Sequence, residues 1–477
     1  MIFASFEFLF LFLPLFYTAY FLTPFRLRNW PMLIFSWAFY AWWRIDFLVL
    51  LVAVTVFTWL VARAMDAAGA RSKRGGRLMV FGVIGNIVVL AYFKYANFGV
   101  ESFNQLITAV GYDRVGWTEI VLPIGLSFYV LQSVSYLVDV HRGVVPVNRD
   151  FLNYATYKAI FAQLIAGPIV RYAEIEQELK RRHHSLAQFG QGARIFMIGF
   201  AMKTALADTL NPLVDAAFSL AAPTLADAWL GATAYTLQLY FDFAGYSLMA
   251  IGLARTIGFH FPQNFDNPYL SGSIQDFWQR WHMTLSRFLR DYLYFPLGGN
   301  RKGPARTYVN LMIIMAIGGL WHGSSWNFVF WGVWHGVMLT GHRWWAGRRG
   351  TQPMPFVLGN VLTMLGVLVG WVLFRAKDLG GAWNMYAGML GLHGTGQGEF
   401  GLSDALAWQA TPDRLWFIPI AALFVYLPLL RRFRAATRAT STRWSRVLPV
   451  IAPLAGFALA IVLLYSRDAV PFLYFQF

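Results

Sequence analysis

The stretch from Gly319 to Asn327, GLWHGSSWN, places His322 between two apolar runs of the chain. One run extends from Tyr308 to Leu320 and the other from Phe328 to Leu339. An ionisable side chain is costly inside hydrocarbon, so a polar residue at this depth indicates a functional site. Imidazole is also the side chain that exchanges a proton near neutral pH. The stretch therefore predicts chemistry within a membrane.

The amino-acid composition places the chain among membrane proteins. Of its 477 residues, 57% are hydrophobic and 13% are charged, and the mean hydropathy is +0.48. Soluble domains carry about 25% charged residues, roughly twice this fraction. The 20 Trp and 43 Phe suit aromatic belts at the two membrane interfaces. We predict an all-α polytopic membrane protein with roughly eleven transmembrane helices of about 20 residues each, plus re-entrant or interfacial helices.

The apolar segments differ in whether they can cross the membrane. Ile120–Val140 is long enough and is predicted to span it. Asn153–Ile165 is short and is followed by Gly167 and Pro168, which break helices, so it suits a re-entrant or interfacial helix. No internal repeat and no soluble insertion is evident in the sequence, so we predict a single domain, residues 1–477.

The basic residues explain the formal net charge of +16 without a nucleic-acid partner. They cluster in short loops between apolar runs, where the positive-inside rule places cytoplasmic Lys and Arg. Lys377–Arg414 is Gly-rich and acidic, so we assign it to the outer side. Glu7 precedes the first apolar run and Arg26 and Arg28 follow it, which predicts an N-terminus outside the cytoplasm. The absence of cysteine excludes disulfides and a thiol nucleophile.

Upstream of His322, residues 273–292 have the pattern of one amphipathic helix. Ser273 and Asp276 have the spacing of a capping box, which predicts where the helix begins. His282 falls on the boundary between the apolar and the charged face, one turn from both Trp278 and Ser286. A histidine at that position can point into a protein cavity, or it can be an interfacial residue without chemistry.

Motifs along nearly the whole chain resemble one family of membrane enzymes. Three of them carry most of the resemblance: DFWQRWH at 276–282, YFPLGGN at 294–300 and GLWHGSSWNF at 319–328. Further likeness lies in PIGLSFY at 123–129, QLIAGPI at 163–169, DFAGYS at 242–247, FRA at 374–376 and PFLYFQF at 471–477. In this order the motifs resemble the membrane-bound O-acyltransferase (MBOAT) family, and most closely its AlgI-like alginate O-acetyltransferase branch.

The resemblance implies helices arranged around an intramembrane funnel or tunnel, with a catalytic core at residues 120–345. It implies transfer of an acetyl group from a cytosolic thioester, acetyl-coenzyme A, to hydroxyls of an exported polysaccharide such as alginate. The expected setting is the bilayer of a bacterial inner membrane, with the N-terminus periplasmic and with periplasmic partner acetyltransferases. No bound cofactor is implied. His322 matches the catalytic histidine of the family, and His282 matches its upstream polar position.

The chemistry of acyl transfer suggests a role for each candidate residue. An alcohol is a poor nucleophile toward a thioester, and a neutral His322 can act as the general base that takes its proton. His282 can hydrogen-bond the hydroxyl or the carbonyl, or orient the first imidazole. Ser324, Ser325 and Asn327 are candidate donors to an oxyanion. The other candidates for substrate or donor binding are Trp278, Arg280, Ser286, Arg290, Asn300, Trp321 and Trp326.

Alternatives fit the same residues. Transfer of D-alanine or another acyl group to a different envelope polymer or protein is one. A proton-coupled transporter or flippase is another, although inverted repeats typical of transporters are not evident. His335 is the rival to His322 and is interpreted as a packing or hydrogen-bonding residue. Asp242, within an apolar run, is interpreted as structural, paired with a buried arginine or a backbone donor. We predict no metal site, because no ligands cluster at a recognised spacing.

Overall fold

The computed structural model describes residues 1–349, 354–396, 401–436, 443–467, 470 and 472–473. Every regular element within these residues is a helix, which confirms the all-α prediction. The chain forms two compact units, one of Met1–Phe196 with Met249–Pro262 and one of Met197–Leu248 with Gln263–Phe477.

The first unit contains eight complete helices and the larger part of a ninth. They are α1 (Leu13–Leu22), α2 (Asn29–Ala41), α3 (Ile45–Ala67), α4 (Lys73–Ala109), α5 (Leu126–Arg142), α6 (Phe151–Ala159), α7 (Phe161–Leu164), α8 (Tyr172–Lys180) and α9 (Leu186–Ala201).

The start of α5 corrects one predicted boundary. The span expected from Ile120 begins at Leu126, because Gly125 has a φ of 75° and ends the preceding extended chain. Only glycine fits there, since a Cβ atom would lie 2.3 Å from the carbonyl oxygen of Leu164. The segment Asn153–Ile165 is divided between α6 and α7, as expected for one that does not cross the membrane.

A polar cluster holds the loop between α8 and α9 within the first unit. The buried Arg182 donates from Nε to the Tyr20 hydroxyl (3.0 Å) and from Nη1 to Asn29 Oδ1 (2.8 Å). His184 accepts at Nδ1 from Arg28 at 3.3 Å, and its Nε2 lies 3.0 Å from the Tyr20 hydroxyl. Burial, together with the positive charges of Arg28 and Arg182, lowers the pKa of His184 to about 4. His184 is thus a neutral structural residue at neutral pH.

The second unit contains the remaining helices. They are α10 (Asp208–Ser219), α11 (Leu225–Thr256), α12 (Ile274–Arg280), α13 (Met283–Leu289), α14 (Gly303–His322), α15 (Trp326–Arg349), α16 (Phe356–Arg375), α17 (Leu379–Met389), α18 (Asp404–Ala407), α19 (Pro412–Ala436) and α20 (Arg443–Ser466). The last part of α11 belongs to the first unit, and the last part of α9 belongs to the second.

Within the described residues, five helical segments are long and apolar enough to cross a membrane. They are α3, α4, α16, Pro412–Leu429 of α19 and Leu448–Ser466 of α20. This finding confirms a polytopic membrane protein. The larger number of crossings expected from the sequence stays a prediction, because the other helices are shorter, less apolar or more highly charged, or are interrupted. One interruption is the π-helical turn at Met202–Ala207 between α9 and α10.

Two glycines allow α14 and α15 to approach each other closely. A Cβ atom at Gly319 would lie 2.1 Å from the carbonyl oxygen of Phe328, and one at Gly332 would lie 2.3 Å from that of Met315. Any larger residue would therefore push the two backbones apart. This close approach fixes the end of α14, where His322 stands.

The single amphipathic helix predicted for residues 273–292 is wrong. Its start is as predicted, since the Ser273 hydroxyl accepts the backbone N–H of Asp276 at 3.1 Å. The helix then ends at Arg280, and α13 begins at Met283. Between them His282 has a φ of 43° and a ψ of 53°, a left-handed conformation that no helix continues through. His282 therefore stands at a break, not on the seam of a continuous helix.

Candidate active site

His322 is the last residue of α14 and lies within a cluster of aromatic rings. Its side chain is buried, with 3% of the residue exposed. The ring centroids of Trp321, Trp331 and Phe374 lie 5.0, 5.1 and 5.3 Å from that of the imidazole. Trp331 and Phe374 both meet it edge to face, at 84° and 70°. The imidazole is thus shielded from bulk water by α15 and α16.

His322 also forms part of the wall of a small cavity in the second unit. The other wall residues are apolar or aromatic: Leu239, Phe243, Trp281, Trp331, Trp371, Phe374, Phe472 and Leu473. The empty space among them is about 340 Å³, including the part that is open to solvent. The cavity therefore places a small bound group against an imidazole.

Two tryptophans bring polar hydrogens to this apolar wall. Trp331 and Trp371 are each 1% exposed; the indole N–H of Trp371 meets the hydroxyl of Tyr269, whereas that of Trp331 finds no acceptor in the part of the chain that the structure describes. A buried N–H group without an acceptor is costly, by about 1–3 kcal/mol. An oxygen atom of a bound substrate can supply the missing acceptor in the cavity that both rings border.

Asn264 holds His282 at the break between α12 and α13. Its backbone carbonyl accepts the N–H of Met283 at 2.8 Å. Its side-chain Oδ1 accepts the hydroxyl of Thr284 at 2.8 Å and lies 3.0 Å from Nδ1 of His282. A left-handed conformation costs a residue with a Cβ atom about 1–2 kcal/mol, which these hydrogen bonds offset. They are the physical reason for the break that the helical pattern did not predict.

The structure brings the two predicted histidines together. The fully buried ring of His282 lies with its centroid 6.3 Å from that of His322 and 5.9 Å from that of Trp321. Phe243 covers another side of His282 edge to face, at 4.8 Å. Trp321, one of the predicted site residues, thus packs against both imidazoles, and its predicted role in substrate binding stays a prediction.

The C-terminal part of the cavity wall is anchored to a buried carboxylate. Asp242 Oδ2 accepts the backbone N–H of Leu473 at 2.9 Å, and Asp242 Oδ1 lies 3.0 Å from Nζ of Lys203. Lys203 also pairs with Asp208, and all three side chains are buried. A backbone donor was expected for Asp242, but a lysine takes the place of the expected arginine. The ion cluster holds Leu473 where it borders the cavity.

Two of the side chains predicted to donate hydrogen bonds to a substrate form bonds within the protein instead. The side-chain amide of Asn327 donates to the carbonyl of Ala376 at 2.8 Å, which joins the start of α15 to the end of α16. Arg280 pairs with Asp276 at 2.7 Å and with Asp266 at 3.8 Å. Their donors are therefore used to hold the fold around the cavity.

The other predicted residues lie outside the cavity wall. Trp278 packs edge to face against His335 at 5.1 Å. Ser286, Ser324 and Ser325 are half-buried, and the exposed residues are Arg290, Asn300 and Trp326. His335 is fully buried between Trp278 and Trp331, and within the described residues neither of its ring nitrogens has a hydrogen-bond partner. Aromatic packing is thus the role that the structure shows for His335.

Sequence reasoning missed the positions of several site residues. The wall residues Trp281 and Trp371 were not among the predicted site residues, and neither were Phe472 and Leu473, which lie at the far end of the chain. Asn264 carries a weak signal, a lone amide in the short polar stretch between Phe261 and Phe265. The DFAGYS, FRA and PFLYFQF motifs did contain Phe243, Phe374 and the two C-terminal residues, but their shared location depends on tertiary contacts.

Comparison with known proteins shows the family to which the chain belongs. The MBOAT, membrane-bound O-acyltransferase, family matches residues 144–377. A probable alginate O-acetylase AlgI of Azotobacter vinelandii is 44% identical over all of both chains. A probable alginate O-acetylase AlgI of Pseudomonas syringae pv. tomato is 49% identical over 82% of this chain and 75% of its own length. A peptidoglycan O-acetyltransferase of Helicobacter pylori is 36% identical over 81% of this chain and 79% of its own length.

Identity at this level over the full length of both chains indicates a common fold and a common type of chemistry. The family match includes both buried histidines and most of the helices that enclose the cavity. The chain therefore belongs to the membrane-bound O-acyltransferase family, and it is a multi-pass membrane enzyme that transfers acyl groups to oxygen.

Proposed function

We propose that this enzyme moves the acetyl group of acetyl-coenzyme A to hydroxyls of an exported polysaccharide such as alginate. The observation that carries the proposal is the position of His322 in the wall of a small, otherwise apolar cavity. The name alginate O-acetylase, given to chains that are similar over their full length, supports the acceptor.

His322 acts as the general base. Its imidazole takes the proton of the acceptor hydroxyl while the hydroxyl oxygen forms a bond to the thioester carbonyl carbon. The tetrahedral intermediate then expels the thiolate, which takes the proton back from the imidazolium. General base catalysis of this kind contributes about 10²–10⁴ in rate. The ring contacts with Trp331 and Phe374 hold the imidazole in place for both steps.

The indole N–H group of Trp331 is the donor we assign to the oxyanion. Its ring borders the cavity, and its N–H group has no acceptor among the described residues. A donor that is already in position stabilises a developing negative charge without reorganisation. It takes the role that the sequence suggested for Asn327, whose amide donates to Ala376.

The size and polarity of the cavity favour an acetyl group. Its volume is about 340 Å³, including the part open to solvent, and the wall residues within the described ranges include no carboxylate that could pair with the ammonium of a D-alanyl group. A buried ammonium without a partner would be costly. A larger acyl chain would displace wall residues that are themselves closely packed. Transfer of D-alanine or of a long acyl chain is therefore the less favoured alternative.

The donor and the acceptor reach the site from opposite sides of the membrane. We place the enzyme in the bacterial inner membrane with the N-terminus periplasmic, because Arg26 and Arg28 follow the first apolar run. Arg290 and Asn300 are exposed and are candidates for contact with coenzyme A phosphates, although Arg290 also pairs with Asp291 at 2.8 Å. The acetyl group continues toward the polymer through periplasmic partner acetyltransferases. All parts of the chain act as one catalytic domain in this scheme, with its core at residues 120–345.

The alternative function that is not enzymatic is proton-coupled transport. The histidine pair His282 and His322 suits a proton relay in principle, but aromatic rings enclose it. The small cavity and the family membership both favour acyl transfer.

The test measures loss of the acetyl-coenzyme A thioester by purified protein in lipid nanodiscs, with and without alginate. The wild type is compared with His322→Ala and with the control His393→Ala, a loop histidine that contacts the carbonyl of Pro223. We expect turnover by the wild type and by His393→Ala, and a loss of at least about 10²-fold in His322→Ala. Equal turnover in all three would overturn the role of His322. Turnover with D-alanyl carrier protein and none with acetyl-coenzyme A would overturn the donor.

A further inference from the structure

The amide of Asn264 has a defined orientation in this structure. Its Oδ1 faces the backbone N–H of Thr284 at 3.3 Å, and a backbone N–H can only donate. The atom that faces it is therefore the amide oxygen and not the amide nitrogen. The nitrogen, Nδ2, donates to the hydroxyl of Ser247 on α11 at 2.9 Å.

This orientation determines the tautomer of His282. Nδ1 of His282 lies 3.0 Å from the same Oδ1, so Nδ1 must carry a hydrogen to form that bond. In a neutral imidazole the other nitrogen, Nε2, then carries a lone pair. Nε2 is buried and has no hydrogen-bond partner within the described ranges of the chain. It is therefore an acceptor and cannot donate to a thioester carbonyl.

We propose that Asn264 is a positioning residue that keeps Nε2 of His282 a hydrogen-bond acceptor for the acyl transfer reaction. The inference rests on the proposed acyl transfer with His322 as the base, and on the expectation from the sequence that His282 acts beside it. With Nε2 unprotonated, His282 can accept a hydrogen bond from the acceptor hydroxyl or from His322. It cannot donate one to stabilise the oxyanion.

The surroundings of His282 make the proposal testable by charge. On the elements packed against it, His322 at the end of α14 lies at a centroid distance of 6.3 Å, and the other titratable groups of α14, Arg306 and Tyr308, stand near the opposite end of that helix. Asp242 of α11 faces Lys203, and Asp266 of the loop before α12 faces Arg280. A carboxylate at position 264 would therefore act on His282 first, through the 3.0 Å contact.

The experiment records the pH dependence of kcat/KM for acetyl-coenzyme A in nanodiscs. Asn264→Asp keeps the acceptor of the Nδ1 hydrogen and adds a negative charge, which favours the imidazolium. We expect its acid limb to move to higher pH by about one to three units, with activity retained on the alkaline side. Thr284→Val is the matched control, because it removes a hydroxyl bonded to the same oxygen and adds no charge. Its turnover can fall, but the midpoint of its acid limb should not move.

Repeating the measurement in the His282→Gln variant distinguishes an error in this inference from an error in the proposed function. Asn264→Asp should move the acid limb only while His282 is present, so the shift should vanish in the His282→Gln background. A shift that persists there would act through His322 and would overturn the inference. Full turnover by His282→Gln alone would instead refute the participation of His282. An unshifted Asn264→Asp profile, with His282→Gln impaired, would overturn the role of Asn264 alone.

A direct measurement covers the case in which Asn264→Asp does not fold. ¹⁵N NMR of histidine-labelled wild-type protein distinguishes the two tautomers, and the signal of His282 is the one lost in His282→Gln. We expect the Nδ1-protonated form. Detection of the Nε2-protonated form would overturn the proposal.

Discussion

The imidazole of His282 lies with its ring centroid 6.3 Å from that of His322, and Trp321 contacts both rings. One histidine stands at the break between α12 and α13, and the other ends α14. Their proximity thus depends on two separate local features, a left-handed residue held by Asn264 and the close approach of α14 and α15. Substitutions at either feature should lower turnover even though both histidines are retained.

Replacing His335 should leave catalysis intact. We expect His335→Phe to turn over acetyl-coenzyme A at the wild-type rate and to unfold at the same or a higher temperature. The reason is that both ring nitrogens of His335 are buried without a partner in the described part of the chain, and a phenyl ring removes two unsatisfied polar atoms. Turnover and the thermal unfolding midpoint are measured beside His322→Phe. A His335→Phe variant that is folded but inactive would contradict the assignment.

Separating α14 from α15 should lower turnover. In Gly319→Ala the new Cβ atom would lie 2.1 Å from the carbonyl oxygen of Phe328, so the helices must move apart and carry His322 with them. A displacement of 1 Å at a reacting group can cost on the order of 10² in rate. The matched control is Gly318→Ala, whose Cβ atom would meet only Leu289 Cδ1 at 3.4 Å. Equal kcat values for the two variants would show that the close approach is not needed.

The side chain of Leu473 should limit the size of the acyl group. Leu473→Ala enlarges the cavity and keeps the backbone N–H that bonds to Asp242. We expect the rate with butyryl-coenzyme A to rise relative to acetyl-coenzyme A by about tenfold, a typical effect of a few methylene groups in an apolar pocket. The control is Leu464→Ala, at a buried leucine of α20 that is not in the wall. If the ratio of the rates with butyryl- and acetyl-coenzyme A is unchanged in Leu473→Ala, then Leu473 does not limit the size of the acyl group.

Lys203 should matter more to stability than Asp242 does. Lys203→Met leaves Asp208 and Asp242 buried without their cation, and loss of one partner of a buried ion pair costs about 3–5 kcal/mol. Asp242→Asn is the milder change, because its amide oxygen can still accept the N–H of Leu473 and Lys203 retains Asp208. Thermal unfolding in detergent compares the two variants. A larger decrease of the unfolding temperature in Asp242→Asn than in Lys203→Met would show that the contacts of Asp242, including its bond to the N–H of Leu473, contribute more to stability than Lys203 does.

The local pattern of the sequence was sufficient for the helical membrane fold and for the hairpin that carries His322. Composition fixes the class because only helices satisfy backbone groups in hydrocarbon. The capping box at Ser273 was also predictable, since its hydrogen bond joins residues three apart. The polar pairing of Asp242 followed from the high cost of an isolated buried charge.

Only the tertiary structure decided how these elements form a site. Residues 273–292 have the periodicity of one helix, yet Asn264 breaks it at His282 with hydrogen bonds that no local pattern encodes. Arg280 and Asn327 have the chemistry of substrate ligands, but their bonds to Asp276 and Ala376 use that chemistry within the fold. Leu473 reaches the cavity because its N–H bonds to Asp242, a residue far away in sequence. The sequence determined which groups can perform acyl transfer, and long-range packing and hydrogen bonding determined which of them meet.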